Sequence, residues 1–77
     1  MSEQELMDNE VRVVVRLTGR EAQVLRLIAR GCTYVQVAAA LGISAHTVCT
    51  HVKNAYRKLE VHSAAAAVMR AVELRIF

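Results

Sequence analysis

Residues 36–59, QVAAALGISAHTVCTHVKNAYRKL, read as a helix, a three-residue turn and a second helix. Two short helices crossing at a wide angle need, in turn, a side chain small enough for close approach, a residue that accepts positive φ, and a buried aliphatic. Ala38, Gly42 and Val48 fall at those places, which predicts a helix-turn-helix. Ser44 follows the turn and is placed to cap the second helix, its hydroxyl accepting the backbone N–H of Thr47. At about 100° per residue, Ala45, Val48, Val52, Ala55, Tyr56 and Leu59 fall in one arc, and His46, Thr50, Lys53, Asn54 and Arg57 in the opposite one. A two-faced helix about 22 Å long, with donors, acceptors and cations outside, has what a major-groove reading helix needs. An ordinary surface helix would show the same arc; the Ala, Gly and Val spacing ahead of it makes the difference.

Working outward, residues 33–41 form the first helix of the pair, with Thr33 and Gln36 at capping-box spacing and Val37, Ala38 and Leu41 facing inward. Ahead of it, residues 18–30 form another helix, opened by a second capping box, Thr18 with Glu21, and stopped by Gly31. Val24, Leu25, Leu27 and Ile28 fill one side of it; Gln23, Arg26 and Arg30 occupy the other, where solvation is the simplest reading. Residues 11–17, VRVVVRL, are β-branched and read as extended, either lying along the helices, the favoured reading, or pairing with a copy of themselves in a dimer. Residues 1–10 are acidic and polar and read as a tail or short linker.

Downstream, residues 60–62 make a short loop and Ser63 caps a fourth helix running from 64 to about 75. That helix is apolar on two sides. One arc holds Ala65, Val68, Met69, Val72 and Ile76; the other holds Ala64, Ala67, Ala71 and Leu74. One arc suffices for the core, so the surplus points to a partner. Either arc can meet the core; small side chains allow close helix approach, and Ala64, Ala67, Ala71 and Leu74 are the expected dimer interface.

Seventy-seven residues hold one domain, and a chain this short buries only about 60% of its unfolded surface, so it gains from a partner. The net charge of +3 hides an asymmetry. Glu3, Glu5, Asp8 and Glu10 stand without a cation in the first ten residues, whereas the remainder carries ten Lys and Arg against Glu21, Glu60 and Glu73. A compact domain with that surplus attracts polyanions, nucleic acid foremost. Cys32 and Cys49 do not make a disulfide framework, and the apolar runs are far short of the ~20 residues that span a bilayer. A cytoplasmic protein with no membrane association is expected.

LTGREAQVLRLIARG, then VAAALGISAHTVCTHVKNAYRKL, then HSAAAAV resembles, in content and order, the DNA-binding domain of LuxR-type (GerE-type) transcriptional regulators. The resemblance covers about sixty residues from Leu17 onward. It implies an all-α fold: a four-helix bundle containing a helix-turn-helix, with the acidic tail and extended segment at 1–16 and the domain at 17–77. It further implies that the third helix enters the major groove and the fourth dimerises. By resemblance, Thr47 and Lys58 touch the DNA backbone, while Cys49, Thr50 and Lys53 face bases and adjoining phosphates.

From chemistry, Lys53 can donate to guanine, Asn54 suits adenine, and the Thr50 methyl can pack on a thymine methyl. His46 and Arg57 share their face, and the free N–H groups from Ser44 to Thr47 bias the helix start toward phosphate. The candidate DNA-binding residues are therefore Ser44, His46, Thr47, Cys49, Thr50, Lys53, Asn54, Arg57 and Lys58. The departures from the family pattern are Val35, Cys49 and Ala64, where relatives often carry a cation, and Glu60, where a glycine is usual. The first three lower the expected affinity and its salt dependence. The last makes a left-handed helix end costlier by about 1 kcal/mol.

His46, Cys49, His51, His62 and Cys32 do not have the spacing of a four-ligand metal site. No cofactor is expected. There is no glycine-rich phosphate loop, no carboxylate pair on a shared face and no nucleophile with a base, so an enzyme is not expected. The expected function is sequence-specific double-stranded DNA binding by a dimeric transcriptional regulator. The alternative is a protein-interaction module that pairs with a larger regulator or with transcription machinery without strong DNA binding of its own.

Overall fold

A computed structural model describes residues 16–77. Four helices follow in order: α1 Gly19–Ala29, α2 Tyr34–Leu41, α3 Ala45–Leu59 and α4 Ala64–Glu73. Each begins where the chain supplies a hydroxyl. Thr18 Oγ1 accepts the Glu21 N–H at 3.1 Å while the Glu21 carboxylate accepts the Thr18 N–H at 2.8 Å. Thr33 and Gln36 repeat the arrangement at 3.2 and 2.8 Å. Ser44 and Ser63 each cap one helix, accepting from the N–H of Thr47 and Ala66. Each such cap is worth about 1 kcal/mol.

All four helices also end alike. A residue at positive φ (Gly31, Gly42, Glu60 and Arg75) lets the next N–H reach a carbonyl five residues back, pairing Cys32 with Leu27, Ile43 with Ala38, Val61 with Tyr56 and Ile76 with Ala71. The residue after each reversal then packs against the interior, as such helix ends favour. Gly42 at φ 67° takes the left-handed region without cost, whereas Glu60 at φ 57° and Arg75 at φ 56° carry a Cβ into it.

α1 and α3 form the central pair, and α2 and α4 each pack on both of them without touching one another. The interior is correspondingly divided. Val24, Val37, Ala38, Val48 and Val52 make a first cluster beneath the start of α3, and the chain turns through 107° between α2 and α3 over it. Leu25, Leu59, Ala67 and Ala71 make a second cluster, flanked by Leu17, Val61, Leu74 and Ile76, with Tyr56 packed against both. Ala45, expected on the inner arc of α3, is exposed at the first position of the helix.

The structure corrects the expected dimer interface. Ala67 and Ala71 are completely buried within the chain, against Leu25 and Leu59, and Leu74 is packed beside them; only Ala64 of that arc is exposed. The physical reason is steric: α4 must lie close to α1 and α3 with two leucines already between them, and only methyl-sized side chains fit there. The outward arc is the other one, where Met69 is 65% and Val72 59% exposed and Ala65 is exposed beside them. Helix α4 stops at Glu73, two residues short of the expected end. Of the extended segment expected at 11–17, residues 11–15 and the acidic tail lie outside the described residues. Arg16 and Leu17 have no regular structure, and Leu17 rests against the second cluster.

Candidate nucleic-acid interface

The outer face of α3 is built by what its inner face is doing. Val48, Val52, Ala55 and Leu59 are buried, which rotates the opposite side of the helix into solvent. Taking about 100° per residue, His46, Thr50, Lys53 and Arg57 fall within about 60° of one another, a stripe some 16 Å long. All four are exposed. Thr47, Cys49 and Asn54 are half-buried on the two margins of that stripe, and Lys58 lies further round.

The start of α3 is ordered by its own hydroxyls. Ser44 Oγ accepts the Thr47 N–H at 3.0 Å and lies 2.9 Å from Thr47 Oγ1, so the two hydroxyls act as one unit. No acid stands in the first turn, leaving the helix dipole unopposed there, and Arg57 and Lys58 occupy the last turn. Thr50 donates its hydroxyl to the His46 carbonyl at 3.2 Å. Its donor is thereby used within the helix, and the methyl is what it has left to offer a base. Cys49 is a free thiol, half-buried.

Two placements were not legible beforehand. His62 joins Lys53, Arg57, Tyr56 and Val61 around a shallow cleft of about 380 Å³ beside the stripe. It brings an imidazole from the loop to the rim of the helix face, and no periodicity marks a loop residue for that. Burial, and then the neighbouring Tyr34 phenol, push the Tyr56 hydroxyl above the ordinary tyrosine range, so the floor of this cleft is neutral.

The second placement concerns Lys58, expected at the DNA backbone. Its Nζ donates to Glu21 Oε1 at 2.7 Å, and that carboxylate is 3% exposed whereas Lys58 is 31% exposed. Burial alone would raise the Glu21 pKa; the Lys58 ammonium and the Thr18 hydrogen bonds outweigh it and hold the carboxyl below its ordinary value. Arg26 donates to the Ile76 carbonyl at 3.4 Å, which ties α1 to the residues after α4. Among the described residues the other ion pair is Arg70 with Glu73, at 3.4 Å on the surface of α4. Lys53 and Arg57 therefore have no acidic partner among the described residues. No described helix is long and apolar enough to cross a membrane.

The family described as "Bacterial regulatory proteins, luxR family" matches residues 15–71. Similar proteins include the "Transcriptional activator protein CarR" of Pectobacterium carotovorum subsp. carotovorum, 44% identical over 79% of this chain and 25% of its own length. The "Nitrate/nitrite response regulator protein homolog" of Haemophilus influenzae is 53% identical over 69% of this chain and 26% of its own. A crystal structure of the response regulator ChrA from a haem-sensing two-component system aligns with a TM-score of 0.79 at 34% identity, covering 96% of this chain and 37% of that one. The chain spans about a quarter of the length of the curated relatives it matches.

Proposed function

The chain belongs to the luxR family of bacterial regulatory proteins, and we propose that it is a sequence-specific double-stranded DNA-binding unit of transcription control, with α3 in the major groove. The observation that supports this most is the stripe of His46, Thr50, Lys53 and Arg57, exposed on the side of α3 opposite its buried valines. Lys53 and Arg57 supply charge without a protein acid to neutralise it among the described residues. Ser44 and Thr47 present hydroxyls at the helix start, and Cys49 and Asn54 flank the stripe within reach of groove edges. His62 extends the polar side of the stripe from the loop beside Lys53 and Arg57. The interaction-module alternative is not favoured by relatives named as transcriptional activators and regulators.

Fluorescence anisotropy with a labelled duplex tests the reading. The wild-type chain should bind with an affinity that falls as salt rises, and Lys53→Ala together with Arg57→Ala should flatten the log–log slope by about 0.9 for each phosphate no longer neutralised. Equal and negligible binding of random and selected duplexes at low salt, unchanged by those substitutions, would end it.

Pairing of two copies belongs to the same reading, and a cytoplasmic location goes with it. The surface that supports pairing is the outward arc of α4, centred on Met69 and Val72 and not on the alanines first expected. A two-fold pairing through it suits inverted half-sites. Met69→Glu should lower the sedimentation mass at high protein concentration without loss of helix content; an unchanged mass for both proteins counts against the surface.

A further inference from the structure

We propose that Lys58 is a positioning residue: through Glu21 it sets the tilt of α3 in the groove, and it is not a ligand of DNA phosphate. The proposal rests on the DNA reading above. Its first support is the ion pair itself, 2.7 Å long against a carboxylate that is 3% exposed. A carboxylate taken so far out of water needs its cation held close. A phosphate that drew the ammonium outward would strand that charge and set a second anion beside it.

The second support is direction. At about 100° per residue, position 58 lies about 120° around the helix from His46 and about 100° from Arg57. Lys58 thus leaves the exposed stripe on the side facing α1. The third is what Glu21 is attached to. The same Oε1 that takes the Lys58 ammonium accepts the N–H of Thr18, the N-cap of α1, so one oxygen joins the last turn of α3 to the first turn of α1 across 37 residues of chain.

The start of α3 is held some 15 Å away by Val48 and Val52 against α2. Apolar contact of the kind Leu59 makes beside Lys58 tolerates sliding, whereas a charged hydrogen bond fixes distance and direction. Two fixed points define the line of the helix. Base readout depends on that line to within hydrogen-bond tolerance, while attraction to the backbone depends only on charge. A disturbed tie should therefore cost discrimination and leave the salt slope alone.

Glu21→Gln gives the two roles opposite signs. The amide oxygen still accepts the Thr18 N–H but, being uncharged, holds the ammonium only weakly. If Lys58 positions α3, the ratio of affinities for a duplex selected from a random pool and for a random duplex falls about tenfold. If Lys58 is a phosphate ligand, releasing it tightens binding to both duplexes, keeps the ratio and steepens the salt slope by about one unit; that result overturns the proposal.

Lys58→Met should reproduce the reduced ratio at unchanged slope, and Lys58→Arg should restore it. Circular dichroism at the assay temperature confirms that each variant compared is folded, and Glu21→Gln carries the decision if Lys58→Met is not. A folded Lys58→Met that binds both duplexes like the wild type also overturns the assignment, leaving the ion pair a stabilising contact alone. Absence of binding by the wild-type chain overturns the DNA reading, and this assignment with it.

Discussion

The two hydrophobic clusters share α1 and α3 but are made of different materials. The first joins Val24, Val37, Val48 and Val52 around Ala38, and the helices α1 and α2 that run into it end on Gly31 and Gly42. The second sets Leu25 and Leu59 on the methyls of Ala67 and Ala71, and the helices α3 and α4 that leave it end on Glu60 and Arg75, both left-handed without being glycine. The first is stiff, because β-branched side chains have little rotamer freedom, and its exits are unstrained. The second depends on close approach, carries two strained exits and has nearby an ion pair between the buried Glu21 and the partly exposed Lys58. One cluster fixes the crossing of α2 and α3; the other fixes where α4 sits.

The largest expected effect would break that division of labour. Leu59→Ala removes the bulk of the second cluster and should cost about 2–5 kcal/mol in urea or thermal unfolding, against about 1.5–3 kcal/mol for Val48→Ala. At a temperature where both variants remain folded, Val48→Ala should nevertheless weaken DNA binding more, since it lies under the start of α3. If the two lose DNA affinity in proportion to stability, the clusters do not act separately.

An intermediate effect concerns the ion pair. Lys58→Met should cost about 1.5–3 kcal/mol, the range for losing a hydrogen bond to a charged group. Because the folded Glu21 pKa lies below its ordinary value, the stability it contributes is complete above the usual glutamate pKa of about 4.3 and is lost as pH falls through the lowered value. Unfolding measured between pH 6 and pH 2 should therefore show less acid loss in Lys58→Met than in wild type.

The smallest effect sharpens the contrast between the helix ends. Glu60→Gly should stabilise the chain by about 1 kcal/mol, raising the thermal midpoint, whereas Gly42→Ala should lower it. A neutral result at Glu60 would mean that the left-handed exit of α3 is not strained.

The same contrast explains what could be read from the sequence. Everything in the first cluster was legible, because it is assembled from local signals: Thr33 with Gln36, Gly42, Ser44, and the spacing of Val48 and Val52. The second cluster was legible only in part. Helix α4 has two apolar arcs, and its rotation was decided by packing on Leu59 across the intervening loop and on Leu25, about forty residues earlier in the chain. Glu21 was read as half of a capping box; its second role, with Lys58, depends on two residues that only the packing of α1 against α3 brings together. His62 was weighed only as a metal ligand, since its place beside Lys53 and Arg57 follows from the path of the loop. The residues of the exposed stripe were found because a single helix's periodicity suffices to name them.

Helices α2 and α4 never meet. A load applied at the outward side of α4 would reach α2 and the first turn of α3 only by way of the shared α1–α3 pair. Such a load would turn the pair about the neighbourhood of Tyr56, where the two interiors join. Small displacements at one end would be returned at the other as a change of pitch.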